Sequence, residues 1–341
     1  MKSNNESINT LFYYWLVSSL LIVILIIIVG GLTRLTNSGL SITEWELFSG
    51  ILPPLNSTGW NDYFDLYKKI PQYKLINPNM SLDEFKVIFY WEYAHRLLAR
   101  LLGLFFIIPL IYFYFTKKIE KKYINLCLTI SLLILFQGIV GWYMVKSGII
   151  DNVTVSHYRL SLHLTIAFII ISMIFWNILN FQKKTSKNFF DNNIKSLFFN
   201  ILIFLIFFQI IFGAFVSGLD AGKIYQTWPL MNHTYFPNDV KINNFLHFLN
   251  FSNHSLIQFY HRNIAYIIVV YILFLGFYIY KEKINFLLKH YFLVLIFLIF
   301  QIILGIVTLT SGLNMYLASS HQIGSLLLIL SVINLHYRQI N

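Results

Sequence analysis

Eight predominantly apolar runs, each at least about 20 residues long, constrain this chain more than any other feature. They lie at about 12–32, 90–115, 122–146, 156–180, 196–218, 258–280, 290–312 and 317–338. Hydrocarbon offers a backbone no hydrogen-bond partner, so a crossing segment has to satisfy its own amides as a helix. The runs therefore predict an all-α integral membrane protein with eight transmembrane helices. Composition agrees, because 57% apolar residues, 11% charged residues and a mean hydropathy of +0.65 do not describe a water-facing surface. The fourth run is the least clean, since it opens on His157 and Arg159. The first is too long, and too plainly followed by further spans, to be a cleaved signal; a retained helix is expected, with no mitochondrial-type presequence before it.

An even number of spans puts both termini on one side and sorts the connections into two sets. The terminus side collects Lys2, Lys117, Lys118, Lys121, Lys122, Lys183, Lys184, Lys187, Lys195, Lys281, Lys283, Lys289 and Arg338, against Glu6, Glu120, Asp191 and Glu282. Cation totals on the two sides barely differ, but only the short connections on the terminus side are dense in lysine, which assigns that side to the cytoplasm. The net charge of +11 then reflects membrane topology, and no nucleic-acid partner is expected. The single cysteine, Cys127, falls inside the third span, which excludes an intrachain disulfide framework.

The first four spans resemble the last four in chemistry as well as hydropathy. Glu92-Tyr93-Ala94-His95-Arg96 is answered by Gln258-Phe259-Tyr260-His261-Arg262, and Ser161-Leu162-His163-Leu164 by Ser319-Ser320-His321-Gln322. The pattern Phe-Gln-x-x-x-Gly recurs at 136–141, 208–213 and 300–305; its glycine permits close helix contact and its glutamine can bond across helices. Two parallel-repeat four-helix bundles follow, residues 1–190 and 191–341, related by an axis along the membrane normal. Two long outer connections remain, at about 33–89 and 219–257. The first contains Thr43-Glu44-Trp45 and Pro53-Pro54 and ends on Ser81-Leu82-Asp83-Glu84, a capping box that should start a helix leading toward the second span. The second contains Trp228-Pro229 at a turn.

Of ten histidines, His95, His163, His261 and His321 fall within spans, near their outer ends and at equivalent places in the two halves. Ionisable groups at membrane depth are costly and mark functional candidates. Each is followed one turn later by a small residue, Ala99, Ala167, Ala265 or Ser325, on the same helix face. A flat macrocycle needs such room, and a six-coordinate haem iron needs one ligand from each side of its ring. Two halves with two histidines each therefore suggest two haem sites. A single such histidine reads more naturally as an interfacial side chain, but four equivalent ones do not. A four-histidine zinc site is a weaker alternative, lacking an acid or cysteine pattern at zinc spacing. His157 lies six residues before His163, and Ser161 gives it a small neighbour, so the two can exchange roles. Arg96, Arg100, Arg159 and Arg262 lie at the same level and are candidate partners for haem propionates; the competing reading is that they reach lipid phosphates.

The halves differ at one acid, since Glu92 is replaced by Gln258. Three residues before His95, Glu92 shares its helix face and could move a proton or stabilise positive charge on a bound macrocycle. The alternative is a solvated glutamate at headgroup level. The asymmetry points to a reacting haem in the first half and a retained, electron-carrying haem in the second.

Gly30-Gly31-Leu32-Thr33-Arg34-Leu35-Thr36, Ser38-Gly39-Leu40-Ser41, Thr43-Glu44-Trp45, Gly50-Ile51-Leu52-Pro53-Pro54 and Glu92-Tyr93-Ala94-His95-Arg96 resemble the haem A synthase family, and the resemblance continues through all eight spans. It implies oxidation of the C8 methyl of haem O to a formyl group, by successive hydroxylations whose geminal diol loses water, to give haem A for cytochrome oxidase. It implies haem b as cofactor between His261 and His321, substrate haem O between His95 and His163, and Glu92 as the catalytic acid. No cysteine lies between Arg34 and Tyr90, so the chain resembles the branch without a cysteine pair in the first outer loop. The expected setting is a bacterial inner membrane, with both termini cytoplasmic, haem sites toward the outer face and lipid around the spans. Candidate partners are an electron carrier of unassigned identity, the haem O-forming farnesyltransferase and a second copy of the chain. The main rival is a dihaem b-type electron-transfer protein without substrate chemistry, which would have no use for Glu92. A transporter ranks third, because its polar groups would sit nearer the bilayer midplane.

Overall fold

The computed structural model describes residues 2–44, 49–151, 153–190, 193–241 and 245–340; Trp45 and Asp191, both singled out above, lie outside them. Ten α-helices follow in order among these residues: α1 Lys2–Leu35, α2 Ser57–Tyr67, α3 Pro71–Ile76, α4 Leu82–Thr116, α5 Lys121–Asp151, α6 His157–Lys183, α7 Ile194–Gly218, α8 His254–Lys281, α9 Leu288–Thr310 and α10 Met315–Gln339. All except α2 and α3 are long and apolar enough to cross a membrane, giving the eight expected spans. The only β feature among the described residues is an isolated bridge between Met231 and Thr234. Large apolar side chains stay exposed along the spans, including Leu104, Phe115, Leu132, Phe204, Val270 and Ile296, as expected of faces meant for lipid.

The chain separates into two compact units, residues 1–178 and 179–341. In the first, α1 packs along α4 and α4 along α5. Phe12 and Trp15 of α1 meet Phe106 and Phe113 of α4, with the Phe12 and Phe113 ring centroids 5.1 Å apart and edge to face. Buried polar groups are absorbed by the neighbouring backbone: the Trp15 indole donates to the Phe105 carbonyl at 2.9 Å. Asn177 of α6 likewise donates to the Tyr123 carbonyl and the Cys127 sulfur of α5, and Cys127 is a buried free thiol.

The first long connection folds as a small helical cap. Trp60, Phe64 and Tyr67 of α2 pack on Phe85 and Phe89 of α4 as one buried aromatic cluster. The Tyr67 hydroxyl donates to Gln72 at 3.0 Å, and Gln72 donates to the Asn37 carbonyl just past α1. Burial first, then the charge of Glu92, holds the Tyr67 phenol above its usual range, with Asn77 opposing. The Ser81–Glu84 capping box forms as expected. The helix it starts leads into the second span as expected, and α4 runs on for 35 residues.

In the second unit α7 packs along α8, and α10 along both α7 and α9. The Tyr271 hydroxyl of α8 donates to the Phe198 carbonyl of α7 at 2.9 Å. Lys187 reaches the carbonyls of Tyr337 and Ile340 at the end of α10, where a cation suits the exposed carbonyl ends of a helix.

Candidate functional site

Each of the four span histidines lies against a glycine on the neighbouring helix. A Cβ placed on Gly30 of α1 would come 2.7 Å from His95 Cε1 of α4, and one on Gly141 of α5 would come 3.0 Å from His163 Cε1 of α6. The second unit repeats this, with Gly213 of α7 at 3.1 Å from His261 of α8 and Gly305 of α9 at 3.0 Å from His321 of α10. The absent side chain is thus the space the imidazole occupies. Four helix pairs, one glycine helix and one histidine helix in each, make up the eight spans.

The rings also face one another in pairs. His95 and His163 have centroids 6.4 Å apart with an interplanar angle of 70°, and His261 and His321 are 6.5 Å apart at 81°. Metal–imidazole bonds of about 2 Å, made by two rings on opposite sides of one ion, set their centroids roughly 6 Å apart. All four Nδ1 atoms are buried without a hydrogen-bond partner, although the histidines themselves are only partly buried. Buried nitrogens left unpaired are costly unless something else uses their lone pair. Spacing, unused nitrogens and glycine cradles all fit a metal macrocycle clamped between two imidazoles in each unit. Among the described residues no three His, Cys, Asp or Glu side chains gather as a metal cluster, so the zinc alternative does not assemble.

One turn before three of the cradle glycines stands a glutamine. Gln137 Nε2 donates to the His163 carbonyl at 2.9 Å, Gln209 Nε2 to the His261 carbonyl at 3.0 Å, and Gln301 Nε2 to the His321 carbonyl at 2.7 Å. The cross-helix role expected of these amides is therefore a direct tie to the backbone of the histidine.

Glu92 is 3% exposed and not a solvated headgroup-level side chain. Its Oε2 accepts from the Ser41 hydroxyl at 2.7 Å and the Ile42 N–H at 2.9 Å, and its Oε1 accepts from Arg96 Nε at 3.0 Å and Nη2 at 2.5 Å. Four donors offset the desolvation of one carboxylate. Arg96 Nη2 also donates to the Ile42 carbonyl, so Glu92 and Arg96 together grip both faces of one residue in the connection. The second unit preserves the frame and changes the chemistry. Gln258 Nε2 and Arg262 Nη2 both donate to the carbonyl of Tyr225, which stands as far beyond Gly213 as Ile42 stands beyond Gly30. Ser41 has Ile224 as its counterpart, so the hydroxyl, like the acid, occurs once. Tyr225 in turn donates to Asp239 Oδ1 at 2.5 Å, and Ser255 donates to Asp239 Oδ2 at 2.7 Å. Partial burial opposes it, but these two donors hold the Asp239 carboxyl below its ordinary range.

The remaining sequence candidates are placed as follows. Arg100 donates to the Gly50 carbonyl at 3.1 Å and, with Arg96, Tyr93, Glu44 and Ile42, lines a small recess. Arg159 lies over the Tyr143 ring, 4.7 Å from its centroid, and donates to the Ser147 hydroxyl. Arg262 also reaches the Leu230 carbonyl. His157 opens α6 with its ring 4.0 Å from that of Tyr158, whereas His163 faces His95. The sequence pattern marked Gly141, Gly213 and Gly305 as helix contacts without showing that the contact is the imidazole, and Gly30 stood only in a resemblance motif. Sequence reasoning passed over Ser41 and Ile42, although both sit in quoted or neighbouring motif positions.

Fold and site together define a class: a multi-pass, all-helical membrane protein with a facing pair of imidazoles in each compact unit. The chain belongs to the COX15-CtaA family, described as cytochrome oxidase assembly protein, which it matches over residues 13–333. It is 51% identical over 312 residues to "Heme A synthase" of Pelagibacter ubique (strain HTCC1062), covering 92% of this chain and 91% of that one. It is 43% identical to "Heme A synthase" of Parvibaculum lavamentivorans over 71% of this chain and 70% of the relative. To "Heme A synthase" of Wolbachia pipientis it is 41% identical over 88% of each.

Proposed function

We propose that this protein is a haem A synthase, an oxidoreductase that converts the C8 methyl of haem O to a formyl group. The observation that carries the reading is the asymmetry between two otherwise matching clefts: a buried Glu92 joined to Ser41 beside His95, against Gln258 and Ile224 beside His261. The family membership and the names of the relatives support it.

In this reading His95 and His163 hold the substrate haem O, and His261 and His321 hold haem b, which supplies an electron-transfer centre when bound. Glu92 places its carboxyl group three residues, just under one turn, from His95, where it stabilises positive charge arising on the substrate ring. The Ser41 hydroxyl at 2.7 Å gives that carboxylate a proton-transfer link to the connection. Arg96 orients the carboxylate; Arg96, Arg100, Arg159 and Arg262 remain the candidates for propionates, which would compete with their present carbonyl, carboxylate and hydroxyl acceptors. The lysine-dense short connections support cytoplasmic termini in a bacterial inner membrane, with both clefts toward the outer face. Conversion of a methyl to a formyl group with water as oxygen source releases four protons and four electrons, for which an electron carrier would be the acceptor, and the farnesyltransferase that makes haem O is the natural neighbour for substrate delivery.

The test is haem extraction and chromatography from membranes that make haem O, with and without this protein and its Glu92→Gln variant. Haem A formed only with the unaltered chain supports both the reaction and the acid. Bound haem with haem O unconverted would replace this reading with dihaem electron transfer, and unchanged turnover in Glu92→Gln would remove the role of the acid.

A further inference from the structure

The four glycine–histidine pairs share one arrangement, and one of them lacks a side-chain tie. Gln137, Gln209 and Gln301 each precede the cradle glycine by four residues and bond the carbonyl of the facing histidine. The corresponding position before Gly30 is Ile26, whose side chain has no donor. His163, His261 and His321 are thus tied by their own backbone to the helix behind them, while His95 is held by packing against Gly30 and by its ring. The second unit makes room for its tie, because Gly324, one turn beyond His321, lets the Gln301 amide lie against α10.

We propose that the three glutamines are positioning residues that fix the histidine ligands, and that Ile26 leaves His95 as the one exchangeable ligand, so that the first cleft releases its haem from the His95 side. This rests on the haem-binding reading above. It accords with the two jobs inferred there: a product has to leave the first cleft every turnover, whereas the cofactor of the second has to stay. An interhelical hydrogen bond in a membrane is worth about a threefold to tenfold change in an equilibrium or a rate. Three otherwise identical brackets make its omission at the fourth a local and separable difference.

The test uses the purified, haem-loaded full chain, with two readouts that do not depend on turnover. Carbon monoxide binding to the reduced protein reports displacement of a histidine, and transfer of haem to apomyoglobin reports release. The expected result is carbon monoxide binding at the first cleft and not the second, with Ile26→Gln slowing both binding and transfer about fivefold. Gln209→Leu, which removes a polar group from a span instead of adding one, should make the second cleft reactive toward carbon monoxide. Equal reactivity of the two clefts in the unaltered protein, or rates unchanged in Gln209→Leu, would overturn the proposal. His163→Ala and His321→Ala separate this from failure of the underlying reading: if both variants keep their full haem content, the clefts do not hold haem at all.

Discussion

Replacing the cradle glycines by alanine should remove haem in a graded order set by the distances. Ordinary contact begins near 3.4 Å, so a new methyl has to push the imidazole back by about 0.7 Å at Gly30, where the present separation is 2.7 Å, and by about 0.3 Å at Gly213, where it is 3.1 Å. Gly141 and Gly305, both at 3.0 Å, fall between. Ligand constellations tolerate errors of about 0.5 Å, which places Gly30→Ala beyond the limit and Gly213→Ala within it. Overpacking of this kind costs about 1–3 kcal/mol, or roughly a 5- to 150-fold loss of affinity if it falls on the bound state. Gly103 and Gly138 have nothing within 4 Å of an added Cβ and serve as controls, Gly103 in the helix of His95 and Gly138 in the helix of Gly141. The assay is the haem-to-protein ratio of each purified variant, with the fraction in the low-spin, two-histidine form read from the Soret band. Gly30→Ala should lose first-cleft haem, Gly213→Ala should keep most of its second-cleft haem, and both controls should match the parent. Equal losses at Gly213 and Gly30, or a comparable loss in Gly138→Ala, would refute the claim that the glycine is absent to make room for the ring.

Other outcomes follow from the same geometry. His163→Ala should abolish first-cleft haem whereas His157→Ala should spare it, as haem content of the two variants will show, because only His163 faces His95. Asp239 has its folded pKa lowered, so it contributes stability that is present above the unfolded value near 3.9 and is lost as pH falls through the folded value. Asp239→Asn should accordingly flatten the acid side of a thermal-melting profile below about pH 4 and leave neutral pH dependence unchanged. Ser81→Ala removes half of a reciprocal capping box and should cost about 1 kcal/mol at the start of α4, seen as faster proteolysis of the cap without loss of haem.

Span number and position were legible in the sequence because the membrane reduces folding to a local rule. A run of apolar residues long enough to cross must be a helix whatever its neighbours do. The four histidines were legible for a related reason, since an ionisable side chain at membrane depth is rare enough to stand out. The glycines were visible as a repeated pattern, but the pattern did not say what each glycine faces. The small residues Ala99, Ala167, Ala265 and Ser325 were read as the room beside each ring on its own helix; the close approach that shapes each ring's place comes from the helix opposite. The burial of Glu92 was not legible at all, because position at a span edge is equally consistent with solvent.

The sequence by itself determined that this chain crosses a membrane eight times, carries two histidine pairs and has one acid without a counterpart. Those are properties of residue type and of hydrogen-bonding demand along a single helix. The tertiary structure alone decided the spacing at which the paired rings stand, 6.4 Å for His95 and His163 and 6.5 Å for His261 and His321, and that the segment after α1 folds back to bury Glu92 against Ser41, Ile42 and Arg96. Contacts of that kind depend on helix rotation and approach distance. Many residues at both faces of an interface set these jointly, and no single stretch of sequence contains them.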